Sequence, residues 1–183
     1  GIGAYMGDII SGLQQVYNLR GSYSIASANL SLGGDSSTTF CDAEPIKTSI
    51  DLLKGAGIAT VISAGNEYNP FGVAYPACVS TAVTVGATND LDVVAGFSNG
   101  SNILDVWAPG VSITSSVPGS TYATWDGTSM SAPHVTGAWA ILKQCNPSAT
   151  VDQILNALTA TGLPVTDYRN TNTTVTRPRI RIN

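Results

Sequence analysis

Charge is scarce in this sequence. Only 11 % of its 183 residues are Asp, Glu, Lys or Arg, against roughly 25 % in an average soluble domain. Eight Lys and Arg stand against twelve Asp and Glu, a net charge of −4, so no electrostatic nucleic-acid binder is expected. No apolar run reaches the ~20 residues that cross a bilayer, and no membrane partner is expected either. Nothing at the start has the pattern of a signal peptide. Gly1 to Tyr5 run straight into a helical pattern, which suggests a chain that begins mid-domain or after processing. Histidine is the rarest residue, present once as His134. Any chemistry that needs an imidazole must use His134 or take one from elsewhere. The three cysteines, Cys41, Cys78 and Cys145, form no CxxC or Cys/His spacing, which removes the signal for zinc. Cys41 and Cys78 both fall in loop-like contexts. A disulfide between them with Cys145 left over, or three buried thiols, are both open. Low Lys content and loops rich in Ser, Thr and Asn point to a secreted, extracellular or periplasmic, protein. The sequons at Asn29, Asn99 and Asn172 add little, since such triplets arise by chance.

What is present is a core. Hydrophobic residues make up 43 %, enough to exclude a disordered chain, and the length suits one domain. Met6, Ile9, Ile10, Leu13, Val16 and Tyr17 recur at helical spacing over 5–18. Residues 24–32 alternate small and apolar side chains, as a strand does, and end at Gly33-Gly34. Asp42 is placed to cap a helix with Pro45 in its first turn and Ile46, Ile50 and Leu53 on one face. Gly55 and Gly57 stop that helix. The continuous run 58–64 predicts a buried strand. Further strands are expected near 82–85, 104–108, 111–117 and 121–125. A helix is predicted from Thr128 to about Lys143. Thr150 and Gln153 form a capping-box pattern before another helix that ends at Gly162. The tail 163–183 looks irregular, with one edge strand at 180–182. The β-α-β alternation with apolar strands argues for a three-layer α/β/α fold around a mostly parallel sheet. In such sheets the site lies beyond the carboxyl ends of the strands.

The chemistry concentrates in 127–137, GTSMSAPHVTG. Ser129 stands at a helix N-terminus, where free N–H groups and the positive end of the dipole favour developing negative charge. Gly127 allows close backbone approach, and Pro133 falls in the first turns, where its missing N–H costs little. A serine so placed can be an activated nucleophile. For an isolated triplet, a simple N-cap would be the better explanation.

The full string is no isolated triplet. At every position it resembles the nucleophile motif of the subtilisin-like serine proteases, the subtilases or peptidase family S8. The resemblance implies Ser129 as nucleophile and an acyl-enzyme mechanism of peptide hydrolysis, with a polypeptide as substrate. Asn29 to Gly34 resemble the family's substrate-binding strand, so Ser31, Leu32 and Gly33 would pair with substrate backbone and form one wall of the specificity pocket. Ser63-Ala64-Gly65-Asn66 resembles the oxyanion-hole segment. Ala64 and Gly65 would form the other wall, and Asn66 would donate its amide beside the Ser129 N–H. Leu32 with Ala64 and Gly65 suggests a roomy apolar pocket without a charged group. The carbonyls of Ala77, Val79 and Ala82, with Asp105, match positions that bind a weak cation such as structural calcium in relatives. Asp105 reads more simply as a hydrogen-bonded loop carboxylate, and the chemistry requires no cofactor. The resemblance covers residues 5 to about 160 and then fades.

Two family segments have no counterpart, the one with the catalytic Asp and the one with the catalytic His. His134 belongs to the serine motif. Five residues along a helix is about 500°, which turns it roughly 140° away from Ser129. Asp8, Asp35, Asp42 and Asp126 carry no matching context, and Asp126 reads as a turn residue. The resemblance therefore implies that 1–183 is a single partial catalytic domain, its C-terminal two thirds, with the missing N-terminal part as its partner. Such a chain would be inactive or nearly so alone, and would expose an apolar sheet edge that favours self-association. The competing expectation is a non-catalytic peptide-binding module derived from a protease. An unrelated α/β hydrolase fails because Ser131 stands where Gly-x-Ser-x-Gly needs its last glycine.

Overall fold

The structure is a computed structural model and describes residues 5–170 and 174–182. The sequon at Asn172 and the first four residues lie outside it. In chain order the elements are α1 (Met6–Leu19), β1 (Ser27–Leu30), β2 (Ser36–Ser37), α2 (Ile46–Gly55), β3 (Ala59–Ser63), β4 (Val73–Ala74) and β5 (Val83–Thr88). There follow β6 (Val106–Pro109), β7 (Ile113–Val117), β8 (Thr121–Trp125), α3 (Thr128–Cys145), α4 (Val151–Thr161), β9 (Leu163–Asp167) and β10 (Val175–Arg179). The main sheet has the order β1-β3-β5-β6-β10-β9. β1, β3, β5, β6 and β10 run parallel, and only β9 is antiparallel to its neighbour.

Strand periodicity separates two cores. Ala59 and Val61 of β3, Val83 and Val85 of β5 and Val106 and Ala108 of β6 pack against Ala132, Val135 and Trp139 of α3 and Ile154 and Leu158 of α4. The alternate residues, Ile62 and Trp107 among them, join Leu13 of α1 and Ile46, Ile50 and Leu53 of α2 on the other face. Successive side chains of a strand point to opposite faces, so one continuous apolar run serves both layers, and the expected three-layer α/β/α fold results. Trp107 is fully buried because Gly86 leaves room: a Cβ there would overlap the indole ring.

Some local expectations change. The strand predicted over 24–32 forms only at Ser27–Leu30. Asp42 does not cap α2, whose N-cap is Pro45 without a side-chain bond. Its carboxylate accepts the N–H and hydroxyl of Ser80 at 2.9 and 2.7 Å. These bonds run beside a disulfide between Cys41 and Cys78, Cα atoms 5.4 Å apart, while Cys145 is free and exposed. The tail is not irregular. β9 and β10 form a hairpin in which Pro164 faces Pro178. Because Ile180 N–H donates to Trp107 O, residue 178 turns its backbone nitrogen toward β6, and the β9–β10 ladder asks neither proline for a donor. Arg169 of the connecting loop donates to the carbonyls of Ala95, Gly96 and Ser98, and Arg177 to that of Leu104. Thr150 and Gln153 make the expected reciprocal capping box.

Candidate active site

The parallel strands deliver two loops to one end of the sheet. β1 runs into Ser31-Leu32-Gly33 and β3 into Ala64-Gly65-Asn66, and α3 begins above both. Several bonds hold the helix start there. Gly127 N–H donates to the Gly110 carbonyl at 2.8 Å. Gly65 N–H donates to Thr128 Oγ1 at 3.1 Å. Ser31 Oγ donates to the Ser129 carbonyl at 2.8 Å.

Asn66 is oriented by Thr128. The Thr128 N–H and hydroxyl both donate to Asn66 Oδ1, at 2.9 and 3.0 Å. An amide oxygen that accepts two donors cannot be exchanged with its NH2 group without placing donor against donor. Nδ2 is therefore the atom left over, and it lies beside the helix start. A Cβ built on Gly127 would stand 3.7 Å from Asn66 Nδ2 and 3.7 Å from Ser129 N. The position that a side chain on residue 127 would take is thus bordered by both donors and, at 3.5 Å, by Met130 Sδ. Gly127 has φ +152°, a backbone that also favours glycine. Neighbouring N–H groups are engaged: Thr128 N–H with Asn66, Met130 N–H with Gly127 O. Ser129 N–H makes no hydrogen bond among the described residues, as expected in the first turn of a helix.

The two loops that carry the predicted pocket walls meet at Ala74, which sequence reasoning missed. A Cβ on Gly33 would lie 2.9 Å from the Ala74 methyl, and one on Gly65 would lie 2.8 Å from it. Backbone bonds staple the same junction, Ala74 N–H to Ala64 O and Gly34 N–H to Tyr75 O. Glu67 reaches the same junction: a Cβ on Gly65, whose φ is +103°, would stand 2.5 Å from Glu67 Oε2. The Glu67 carboxylate accepts from Asn99 Nδ2 at 2.5 Å, while Asn99 Oδ1 accepts the N–H groups of Glu67 and Asn69. Asn99 is fully buried, so its sequon is structural. The signal for these residues was weak because each acts across the fold rather than inside a motif.

The remaining candidates are spread apart. His134 Nδ1 lies 2.8 Å from the Met130 carbonyl, one turn back along α3, and is not directed at Ser129. Asp126 accepts the Ser112 N–H, a bond across the base of the β7–β8 hairpin and not one within a turn. Asp105 accepts the Thr84 N–H at 2.7 Å, and the Thr84 hydroxyl donates to the Ala77 carbonyl. Burial pushes the Asp105 carboxyl up to about 6, against the Thr84 bond and the positive charges of Arg177 and Lys54. The Val79 carbonyl already accepts from Ala82 N–H. One carboxylate and partly engaged carbonyls fall short of the about six to eight oxygens that calcium takes, so the set suits a weak site at most. Among the described residues no group of three or more His, Cys, Asp or Glu could hold a metal, and no helix is long and apolar enough to cross a membrane.

The model of the subtilase family matches residues 4–177, beyond the point near 160 where the motif resemblance fades. Subtilisin from Bacillus pumilus is 40 % identical over 136 residues, 73 % of this chain and 48 % of that protein. Subtilisin Savinase from Lederbergia lenta is 38 % identical over 168 residues, 91 % of this chain and 60 % of the relative. A solved cold adapted subtilisin-like serine proteinase superposes with a TM-score of 0.79 at 30 % identity, covering 96 % of this chain and 61 % of that one. The chain spans between about a third and six tenths of the length of the curated relatives it matches. On the serine motif, the fold and these matches together, the chain belongs to the subtilase family.

Proposed function

We propose that this chain is the nucleophile-bearing part of a serine endopeptidase. Ser129 Oγ attacks a peptide carbonyl and gives its proton to a base. The amine leaves with that proton, and water then hydrolyses the acyl-enzyme. Asn66 Nδ2 and Ser129 N–H hold the oxyanion, and backbone atoms of Ser31 to Gly33 pair with substrate beside Ala64 and Gly65. The observation that carries this reading is the double bond from Thr128 to Asn66 Oδ1. It leaves the amide donor beside Ser129 before substrate arrives, as electrostatic preorganisation requires. The sequence has one histidine, whose Nδ1 is engaged with the Met130 carbonyl one turn back along α3; by the family resemblance the base and its orienting Asp would come from an N-terminal part of the same domain. Among the described residues β1 is an edge strand of the main sheet, and that edge, with a nearby cavity lined by Arg20, Tyr23, Ala26, Ile58, Ala140 and Lys143, suits the packing of that part. The Cys41–Cys78 disulfide supports an oxidising, extracellular setting.

A peptide-binding module without catalysis is the second reading, favoured only by the missing base. Labelling with a fluorophosphonate probe separates the two. The protein completed with an Asp- and His-bearing N-terminal segment should label, its Ser129→Ala variant should not, and the 183-residue chain alone should label little. A folded, completed protein that fails to label refutes the protease reading. For the weak cation, thermal unfolding with calcium and with chelator is the measurement. The proposed Ala77, Val79, Ala82 and Asp105 set predicts a higher midpoint with calcium, and Asp105→Asn should abolish the difference.

A further inference from the structure

The Ser129 carbonyl has lost its helical donor. In an α-helix the carbonyl of residue i accepts the N–H of residue i+4. For Ser129 that residue is Pro133, inside α3, which has no N–H to give. Ser31, far away in sequence, fills the gap: its hydroxyl donates to the Ser129 carbonyl at 2.8 Å. The Ser31 hydroxyl is itself directed. Asn29 Nδ2 donates to Ser31 Oγ at 2.9 Å, which leaves the single Ser31 proton for the Ser129 carbonyl. Thr136 Oγ1 lies 3.2 Å from Asn29 Oδ1 and 3.0 Å from the Ala132 carbonyl, and shares its one proton between them; the direction of the Ser31 bond rests on the Ser129 carbonyl, which can only accept. The periodicities fit. Residues 29 and 31 are two apart on an extended chain and share a face. Residues 129 and 136 are about two turns apart on one face of α3.

We propose that Ser31 is a positioning residue for the nucleophile. Its side chain supplies the bond that Pro133 removes, and so fixes the backbone that carries both the Ser129 hydroxyl and the Ser129 N–H. This role rests on the endopeptidase reading. It differs from substrate pairing, which uses Ser31 backbone atoms and survives loss of the hydroxyl.

The test is a double-mutant cycle in the protein completed with the N-terminal segment. Labelling rate, kcat and KM on a chromogenic peptide are measured for wild type, Ser31→Ala, Ser31→Thr, Pro133→Ala and Ser31→Ala with Pro133→Ala. Thermal unfolding of each variant is followed alongside. Ser31→Ala should lower kcat and the labelling rate about three- to ten-fold, the worth of one hydrogen bond, with KM within about two-fold. Ser31→Thr, which keeps the hydroxyl, should recover most of the rate. In the Pro133→Ala background the penalty of Ser31→Ala should shrink below about two-fold, because the restored N–H serves the same carbonyl. An unchanged kcat, a change confined to KM, or an equal penalty in both backgrounds overturns the inference. A folded wild type that does not label overturns the endopeptidase reading and this inference with it. A wild type that labels normally, beside a Ser31→Ala variant that labels equally fast, overturns this inference alone.

Discussion

Thr128→Val is the substitution that probes the site most directly. It keeps the shape and the backbone N–H of Thr128 but deletes the hydroxyl. That hydroxyl makes two bonds: it accepts the Gly65 N–H at 3.1 Å and donates to Asn66 Oδ1 at 3.0 Å. Gly65 is buried, so its N–H would be left without a partner, at a cost of about 1–3 kcal/mol in stability. The consequence for catalysis is smaller and separable. Asn66 Oδ1 keeps the Thr128 N–H at 2.9 Å, so the amide is loosened rather than released. Losing the amide donor altogether costs about 3–4 kcal/mol, a magnitude that belongs to the oxyanion-hole asparagine of subtilisin itself. Losing one of the two bonds that orient it should cost about 1 kcal/mol, or roughly five- to ten-fold in kcat with little change in KM. Steady-state kinetics on the completed protein, with urea unfolding in parallel, supplies both numbers. Thr128→Ser should recover them. A loss above about 100-fold would mean that Thr128 touches the reacting atoms itself. No loss at all would mean that the Thr128 N–H alone fixes Asn66. Either result refutes this division of labour between the Thr128 hydroxyl and N–H.

Replacing Cys41 and Cys78 together by serine opens a loop of 37 residues, worth about 4 kcal/mol by chain entropy. Urea midpoints with and without the substitutions test this, and a change under ~1 kcal/mol would show that the Ser80 bonds and the core already close the loop. Slight burial raises the Asp42 carboxyl, but the Ser80 hydroxyl and N–H bonds, with Lys47 nearby, outweigh it and hold the group below its ordinary 3.8. A lowered carboxylate contributes stability above that value and loses it as pH falls through the folded pKa. Asp42→Ala should therefore be less stable than wild type at pH 7, with the gap closing below pH 3.8; a gap that persists in acid would contradict the assignment. Gly33→Ala should be destabilising because its methyl would stand 2.9 Å from that of Ala74. Adding Ala74→Gly should restore the midpoint, and a lack of rescue would place the strain elsewhere.

The fold was legible where one pattern had one cause. A β-branched run such as 58–64 between glycines has no satisfactory home except a strand buried on both faces, and β3 is buried throughout. The capping box at Thr150 and Gln153 is local, and local bonds can be read from spacing. The C-terminal hairpin was not legible because its prolines argue against strands taken singly. They become acceptable only when Pro164 and Pro178 face one another where the β9–β10 ladder asks neither for a donor, a fact of pairing. Asp42 failed for a related reason. A carboxylate four residues before a helix has two sets of candidate donors, and the sequence displays only the near set. The far set, at Ser80, is brought in by the disulfide.

The site divides in the same way. The serine motif predicts its own helix start, and Gly127 and Pro133 can be assigned roles from their backbone properties alone. Yet each property creates a deficit that only another part of the chain can meet. Gly127 lacks a side chain, and Asn66 Nδ2 borders the position it would take only because Thr128 turns the amide. Pro133 withholds a donor, and Ser31 supplies one only because β1 lies under the first turns of α3. Gly65 turns at positive φ, and the Glu67 carboxylate stands behind it only because a buried Asn99 ties both down. What the sequence discloses are therefore the requirements of the site, while the residues that satisfy them are chosen by the sheet order β1-β3-β5-β6. A search of the sequence for unmet backbone needs around a motif, such as the carbonyl four residues before a proline, would have pointed to the existence of a partner like Ser31 without identifying it.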